Sequence, residues 1–173
     1  MTTVPSPRTW IVGEVVTAAK LNTDLRDGLN FLLSPPLFEL THSGIISPAT
    51  STQAVMPFDT EIVDRDNGHS TSSNNSRYTS QTVGYYLVQG AVGFVANATG
   101  KRELTILLNG ATETYPSSIP GLAAGFTGLT TGGRVYLAVG DYVELYVWQN
   151  SGGALNTNTT KGGPRFGGHW ISK

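Results

Sequence analysis

The sequence predicts a mainly β protein, a sandwich or barrel, preceded by an extended arm and one α-helix. Residues 134–149 alternate with period two. Val135, Leu137 and Val139 precede Gly140-Asp141, and Val143, Leu145 and Val147 follow it, which is strand patterning with one buried face. Roughly eight short apolar runs, separated by Gly-, Asn- and Ser-rich segments, fill the chain from Leu37 onward, as in sandwiches and barrels. Charged residues are only 13% and Gly is 21 of 173, a composition of turn-rich β proteins and not of disordered chains.

The elements follow in order. Residues 1–16 hold Pro5 and Pro7, then Trp10, Ile11 and Val12, which read as an extended arm with an apolar anchor. Thr17 suits an N-cap, and Val16 and Leu21 have the spacing of a hydrophobic staple. The helix is expected over 18–33. Ala18, Leu21, Leu25, Gly28 and Leu32 form its apolar stripe, with Leu29 beside it, and Lys20 and Asp24 pair on its outside. Ser34-Pro35-Pro36 stops it and divides the chain into an anchor, 1–36, and a head, 37–173. A helix of about four turns is marginal alone in water, so this one needs a partner.

Leu37–Leu40 reads as a short strand, and 53–63 as a strand interrupted by Pro57. Residues 66–80 are Ser- and Asn-rich, hence a long exposed loop. Residues 83–96 form a strand region with Gly90 as a bulge or bend. Leu104, Ile106 and Leu108 alternate up to Asn109-Gly110, the strongest hairpin signal in the chain. Residues 122–130 read as a strand, with Thr131-Gly132-Gly133 as a turn into the central pair. That pair is joined at Gly140-Asp141, where Gly tolerates positive φ and Asp bonds its own backbone. Val135, Leu137, Val143, Leu145 and Val147 are expected in the core, with Glu144 at the surface. Tyr142, Tyr146 and Trp148 share the other face, as a subunit contact or a platform for a sugar ring. Residues 166–171 close the domain.

Net charge of −1 offers no electrostatic case for nucleic acid or an anionic membrane, and no apolar window is long enough to span a bilayer. The start, MTTVPSPRTW, lacks the charge-then-apolar order of a signal peptide. Cysteine is absent, which removes disulfides and thiolate chemistry. His42, His69 and His169 have no metal-ligand spacing. Asp64-Arg65-Asp66-Asn67-Gly68 resembles a calcium loop, but its Gly comes early and the closing Glu is missing. Asp59, Glu61, Asp64 and Asp66 fit a solvated edge that discourages strand pairing, or a hard-cation site. No serine sits in a GxSxG elbow. Gly132-Gly133 and Gly162-Gly163 lack the context and lysine of a phosphate loop. The expectation is a non-enzyme without cofactor or metal.

Two resemblances add to this reading. Residues 83–171 resemble the trimeric jelly roll of the complement-one-q and tumour-necrosis-factor superfamily. Gly84-Tyr85-Tyr86, the Asn109-Gly110 turn, Val135-x-Leu137-x-x-Gly140-Asp141-x-Val143-x-Leu145 and Phe166-x-Gly168 carry that similarity. Residues 9–36 resemble the N-terminal segment of small virion proteins of actinobacterial tailed phages, the minor tail or head-fibre proteins. Trp10, Gly13-Glu14, Val16-Thr17-Ala18, Leu21-Asn22, Arg26-Asp27 and Leu29-Asn30 carry this one.

Together they imply a jelly-roll head on a virion anchor, as a short fibre or decoration protein made in the host cytoplasm. The resemblance implies a homotrimer with Leu21, Leu25 and Leu32 at the helix contact, and Trp10, Ile11 and Val12 meeting other virion proteins. Host-surface carbohydrate is a further candidate partner of the head. An adhesive or cytokine-like ligand is the alternative, disfavoured by the missing secretion signal and cysteines. A cupin-type enzyme is disfavoured by the missing histidine set.

Overall fold

The computed structural model describes residues 4–160 and 163–173. Gly162, half of one glycine pair considered above, lies outside the described residues. A helical run occupies the expected 18–33, built as α1 (Ala18–Leu21), a π-helical turn (Asn22–Arg26) and α2 (Asp27–Leu33). Thr17 caps it by accepting the Lys20 amide. Lys20 and Asp24 do not pair with each other. The wider π turn carries Asp24 off the i, i+4 line, so Lys20 reaches Glu14 at 2.6 Å and Asp24 receives Arg8 at 3.4 Å.

Ten strands follow: β1 (Leu37–Thr41), β2 (Ala54–Val55), β3 (Thr60–Asp64), β4 (Arg77–Thr79), β5 (Gly84–Val95), β6 (Lys101–Leu108), β7 (Thr112–Pro120), β8 (Phe126–Leu137), β9 (Tyr142–Gln149) and β10 (Arg165–Ser172). The first sheet runs β3-β1-β10-β5-β8. The second runs β2-β9-β6-β7, with β4 beside β2 on the same edge of β9. Every observed pairing is antiparallel. Every connection except β6–β7 crosses from one sheet to the other, and the result is a jelly-roll sandwich, the fold class read from the sequence.

Several elements differ from expectation. The Gly140-Asp141 turn does not make a hairpin, because β8 belongs to the first sheet and β9 to the second. It is a tight corner. The Asp141 amide donates to the Ala138 carbonyl at 3.1 Å, and Gly140 has φ +91°, the positive φ of the third residue of a type II turn. Thr131-Gly132-Gly133 is not a turn but the middle of β8, which pairs with β5 over its whole length. The polar 66–80 loop contains β4, whose Tyr78 is buried. Gly90 is not a bulge, since β5 keeps its register on both sides. Its inward position is occupied by Leu145. Only the β6–β7 hairpin has the expected primed turn: Asn109 and Gly110 have φ +51° and +70°.

Phe38, Tyr78 and Phe166 meet at the centre of the core. The Phe38 and Tyr78 rings stack at 3.8 Å, and Phe166 meets Phe38 edge-on at 5.4 Å. Val135, Leu137, Val143, Leu145 and Val147 are all buried in this cluster. Glu144, expected at the surface, is 4% exposed. It sits on the outer face of the second sheet beneath Ser76 and Arg77, which donate to its carboxylate at 2.6 and 3.1 Å.

Candidate interaction surfaces

The N-terminal segment is a folded hook. The Glu14 amide donates to the Ile11 carbonyl at 3.0 Å, and Gly13 has φ +83°, so the chain reverses at Ile11–Glu14. Glu14 then gathers Arg8 at 2.5 Å and Lys20 at 2.6 Å, tying the arm to the helix. The Lys20 hydrogen bond holds the Glu14 carboxyl below its usual pKa, and the Ile11 amide and Arg8 act in the same direction. The tip of the reversal is apolar and bare: Ile11 is 73% exposed and Val12 fully exposed. Along the helix Leu21, Leu25, Leu29, Leu32 and Leu33 are exposed as well. Only Phe31 is buried, edge-on against Trp170 of β10 at 4.8 Å. Arm and helix enclose a shallow apolar pocket of about 330 Å³ among Pro5, Pro7, Leu25, Leu29 and Trp170. The expected anchor residues Trp10, Ile11 and Val12 lie at one end of the hook, and Leu21, Leu25 and Leu32 along its helix.

The three aromatic residues on β9 are partly covered within the protomer. The Arg77 guanidinium lies 4.0 Å over the Tyr142 ring, and the Lys101 ammonium lies 5.4 Å from the centre of Trp148. Tyr146 is buried, which pushes its phenol pKa up. The opposite face of the sandwich has an uncovered aromatic pair. Tyr85 of β5 and Tyr136 of β8 are cross-strand partners. Their rings meet edge-on at 5.2 Å, at 44% and 49% exposure. Alternation from buried Tyr86 and Val135 places both outward, a parity signal that was available in the sequence.

The same outer face holds a groove of about 930 Å³. Its floor follows from the strand registers. One cross-strand row is Glu39–Gly167–Gln89–Gly132, flanked by Leu37–His169–Leu87–Arg134 and Thr41–Arg165–Ala91–Thr130. Two glycines in the middle row leave a trough across the strands. Tyr115 of β7 stands at one side of it in a strained conformation, φ +54°.

The acidic residues at 59–66 are each engaged by the protein. Asp59 accepts the Ser43 amide and hydroxyl and the Thr60 hydroxyl. Partial burial pushes its pKa up, but these hydrogen bonds outweigh that and leave it lowered. Asp64 accepts the amides of Gly68 and His69. Asp66 accepts the Tyr78 hydroxyl at 2.9 Å, and burial raises the pKa of both groups. Glu61 lies 2.8 Å from His69 Nδ1, whose Nε2 lies 3.1 Å from the Asn75 carbonyl. These bonds order the polar loop from within. Among the described residues no three His, Asp or Glu side chains group as metal ligands. His42 sits beside Asp59 and His169 in the groove, so the three histidines do not converge.

No protein-family model matches the sequence, and no curated protein matches it. Solved structures do match. The globular domain of zebrafish complement 1qA protein is similar with TM-score 0.60 and 13% identity, over 80% of this chain and 98% of that one. Murine APRIL, crystallised at pH 8.0, is similar with TM-score 0.60 and 16% identity, over 80% of this chain and all of that one. At these identities the similarity establishes the fold: the head is a jelly roll of the kind seen in complement 1qA and APRIL.

Proposed function

We propose that this chain is a non-enzymatic structural protein, a homotrimer mounted by its N-terminal hook on a larger particle. The particle we propose is a bacteriophage virion, with the chain as a short fibre or decoration protein whose head meets host-surface carbohydrate. The observation that carries this reading is the apolar surface of the hook. Ten large apolar side chains between Trp10 and Leu33 are exposed, far more than scattered surface residues of a monomer. They divide into two surfaces. The leucines of the helix suit copies of the same helix. The Ile11–Val12 tip suits an apolar pocket on another protein of the particle.

Charge supports self-association. Arg8, Lys20 and Arg26 are matched by Glu14, Asp24 and Asp27, each in an ion pair within the hook. Copies therefore approach without net repulsion. On the head, the uncovered Tyr85–Tyr136 pair lies on the sheet against which α2 packs through Phe31–Trp170. We place the head-to-head contact there, because Tyr146 is already buried and Tyr142 and Trp148 are already covered by cations. Sedimentation of the intact chain, followed by incorporation of a chain lacking residues 1–36 into particles, tests both halves of the proposal. The expected results are three chain masses for the first and exclusion from the particle for the second. A second reading, an adhesive or cytokine-like trimeric ligand, is favoured by the similarity to APRIL and complement 1qA. It predicts that the hook is dispensable for the head's binding.

A further inference from the structure

We propose that the N-terminal arm is exchanged between copies of the chain. Residues 4–10 of one protomer lie on the helix of its neighbour, and Ile11–Glu14 is the hinge that opens to let them cross. This rests on the reading that the hook self-associates, and it names the contact. One chain already holds both halves of it. Pro5 lies against Gly28, where an added Cβ would sit 3.7 Å from the proline's own. Pro5 and Pro7 line the apolar pocket together with Leu25 and Leu29. Arg8 reaches the carboxylates of Glu14 and Asp24. A second copy offers the arm the same groove, the same glycine and the same two carboxylates, so exchange keeps each of these contacts. The arm also leaves the leucine seam largely bare: Leu25 and Leu32 keep 52% and 71% exposure. Crossed arms and packed helices are therefore compatible.

The hinge is weakly closed. Its corner residues are Val12 and Gly13, and only the glycine, at φ +83°, is a turn former. Valine is stiff at χ1 and suits extended backbone. A single main-chain hydrogen bond among the described residues closes the reversal, from the Glu14 amide to the Ile11 carbonyl. Ile11 and Val12 are bare already, so opening it uncovers no buried apolar side chain. Four extended residues reach about 13 Å, whereas packed helices lie about 8–10 Å apart. The opened hinge therefore spans from one helix to the next. Once the seams meet, the neighbouring groove is present at high effective concentration. Around a threefold axis each arm passes to the next protomer and the last returns to the first, which closes the ring.

The chain has no cysteine, so two introduced thiols report the path of the arm. The 3.7 Å spacing at Pro5 and Gly28 fits a disulfide. The full chain carrying Pro5→Cys and Gly28→Cys is oxidised in its solution assembly, sedimented, and run on denaturing gels without reductant. We expect covalent trimers, with dimers where one bridge is missing, all returning to single chains on reduction. Single chains from a sample that sediments as a trimer would show that each arm stays on its own helix; the exchange then falls and the trimer stands. A sample that sediments as a monomer overturns both. Failure to form any bridge also overturns the exchange, because the arm then lies on Gly28 of neither copy. A second variant needs no cysteine. Val12→Pro places proline at the corner position it favours and biases the hinge towards closure. The trimer should then dissociate at a concentration about tenfold higher, since all three hinges are biased at once. An unchanged dissociation midpoint overturns the exchange.

Discussion

Gly90 on β5 and Leu145 on β9 occupy one space across the sandwich: a Cβ at position 90 would come within 2.2 Å of the leucine's Cδ1. The two sheets pack here by setting an absent side chain on one against a large one on the other. Leu145→Ala should cost roughly 2–5 kcal/mol, and Gly90→Ala alone should also destabilise by overpacking. The double variant should recover part of the loss, because the added methyl enters the cavity left by the leucine. Denaturant unfolding of the four proteins should give a coupling of at least about 1 kcal/mol. Additive effects would show that the two residues do not share this space.

Glu144 sets a second expectation. Its carboxylate is the acceptor for both Ser76 and Arg77, and Arg77 in turn lies over Tyr142. Glu144→Ala should cost about 1–3 kcal/mol, since one carboxylate satisfies a hydroxyl and a guanidinium. Glu144→Gln should cost less, because an amide oxygen still accepts from Ser76. Equal stability of Glu144→Ala and the parent, by thermal melting, would place this carboxylate outside the network.

The helix seam is tested by charge. Leu25→Asp in the exposed stripe should reduce the sedimenting mass from three chains towards the 18.4 kDa single chain. Circular dichroism of the head should stay unchanged, because Leu25 lies outside the core cluster. A monomeric parent chain would remove the trimer altogether.

A chain beginning at Leu37 should remain a folded β protein, for the core cluster contains no residue before Phe38. It loses the edge-on contact of Phe31 with Trp170. Such ring pairs contribute about 0.5–1.5 kcal/mol beyond area burial, so its melting temperature should fall by a few degrees. Collapse of the β signal would show that the head depends on the anchor for folding.

Acid should open the hook. Glu14 has a lowered pKa in the folded protein. Its contribution is therefore complete above the usual glutamate range and disappears as pH falls through the lowered value. Hydrogen exchange of the Ile11–Glu14 reversal should accelerate over that acidic window, and Glu14→Gln should abolish the pH dependence. An unchanged profile in the variant would assign the effect to a carboxylate other than Glu14.

The sequence was most legible where alternation and a turn signal agreed. The parity of Val135 through Val147, the Asn109-Gly110 hairpin and the extent of the helix all rest on local rules. What failed was the assignment of strands to sheets. Gly140-Asp141 reads the same whether it closes a hairpin or turns a corner, since both arrangements bury the same parity. Glycine was the second source of error. Gly90, Gly132 and Gly133 read as breaks, but each sits inside a strand because a neighbour from elsewhere in the chain, Leu145, Gln89 or Tyr115, occupies the space beside it. Those neighbours are distant in sequence, so no local pattern reports them. Glu144 was misplaced for a similar reason. The strand β4 that covers it arises from a Ser- and Asn-rich stretch held by Asp64, Asp66 and His69. The groove was illegible altogether, because it exists only once four strands are in register.

The way β1 is held has a mechanical consequence. Pro36 leads from the helix directly into β1, which is bonded on one side to β10 and on the other to β3. Ladder hydrogen bonds lie perpendicular to their strands. Tension entering through Pro36 along β1 therefore loads both ladders in shear, all rungs at once, instead of opening them one by one. A pull entering along β1 is shared between two ladders in shear, whereas the same pull along an edge strand would load one ladder alone.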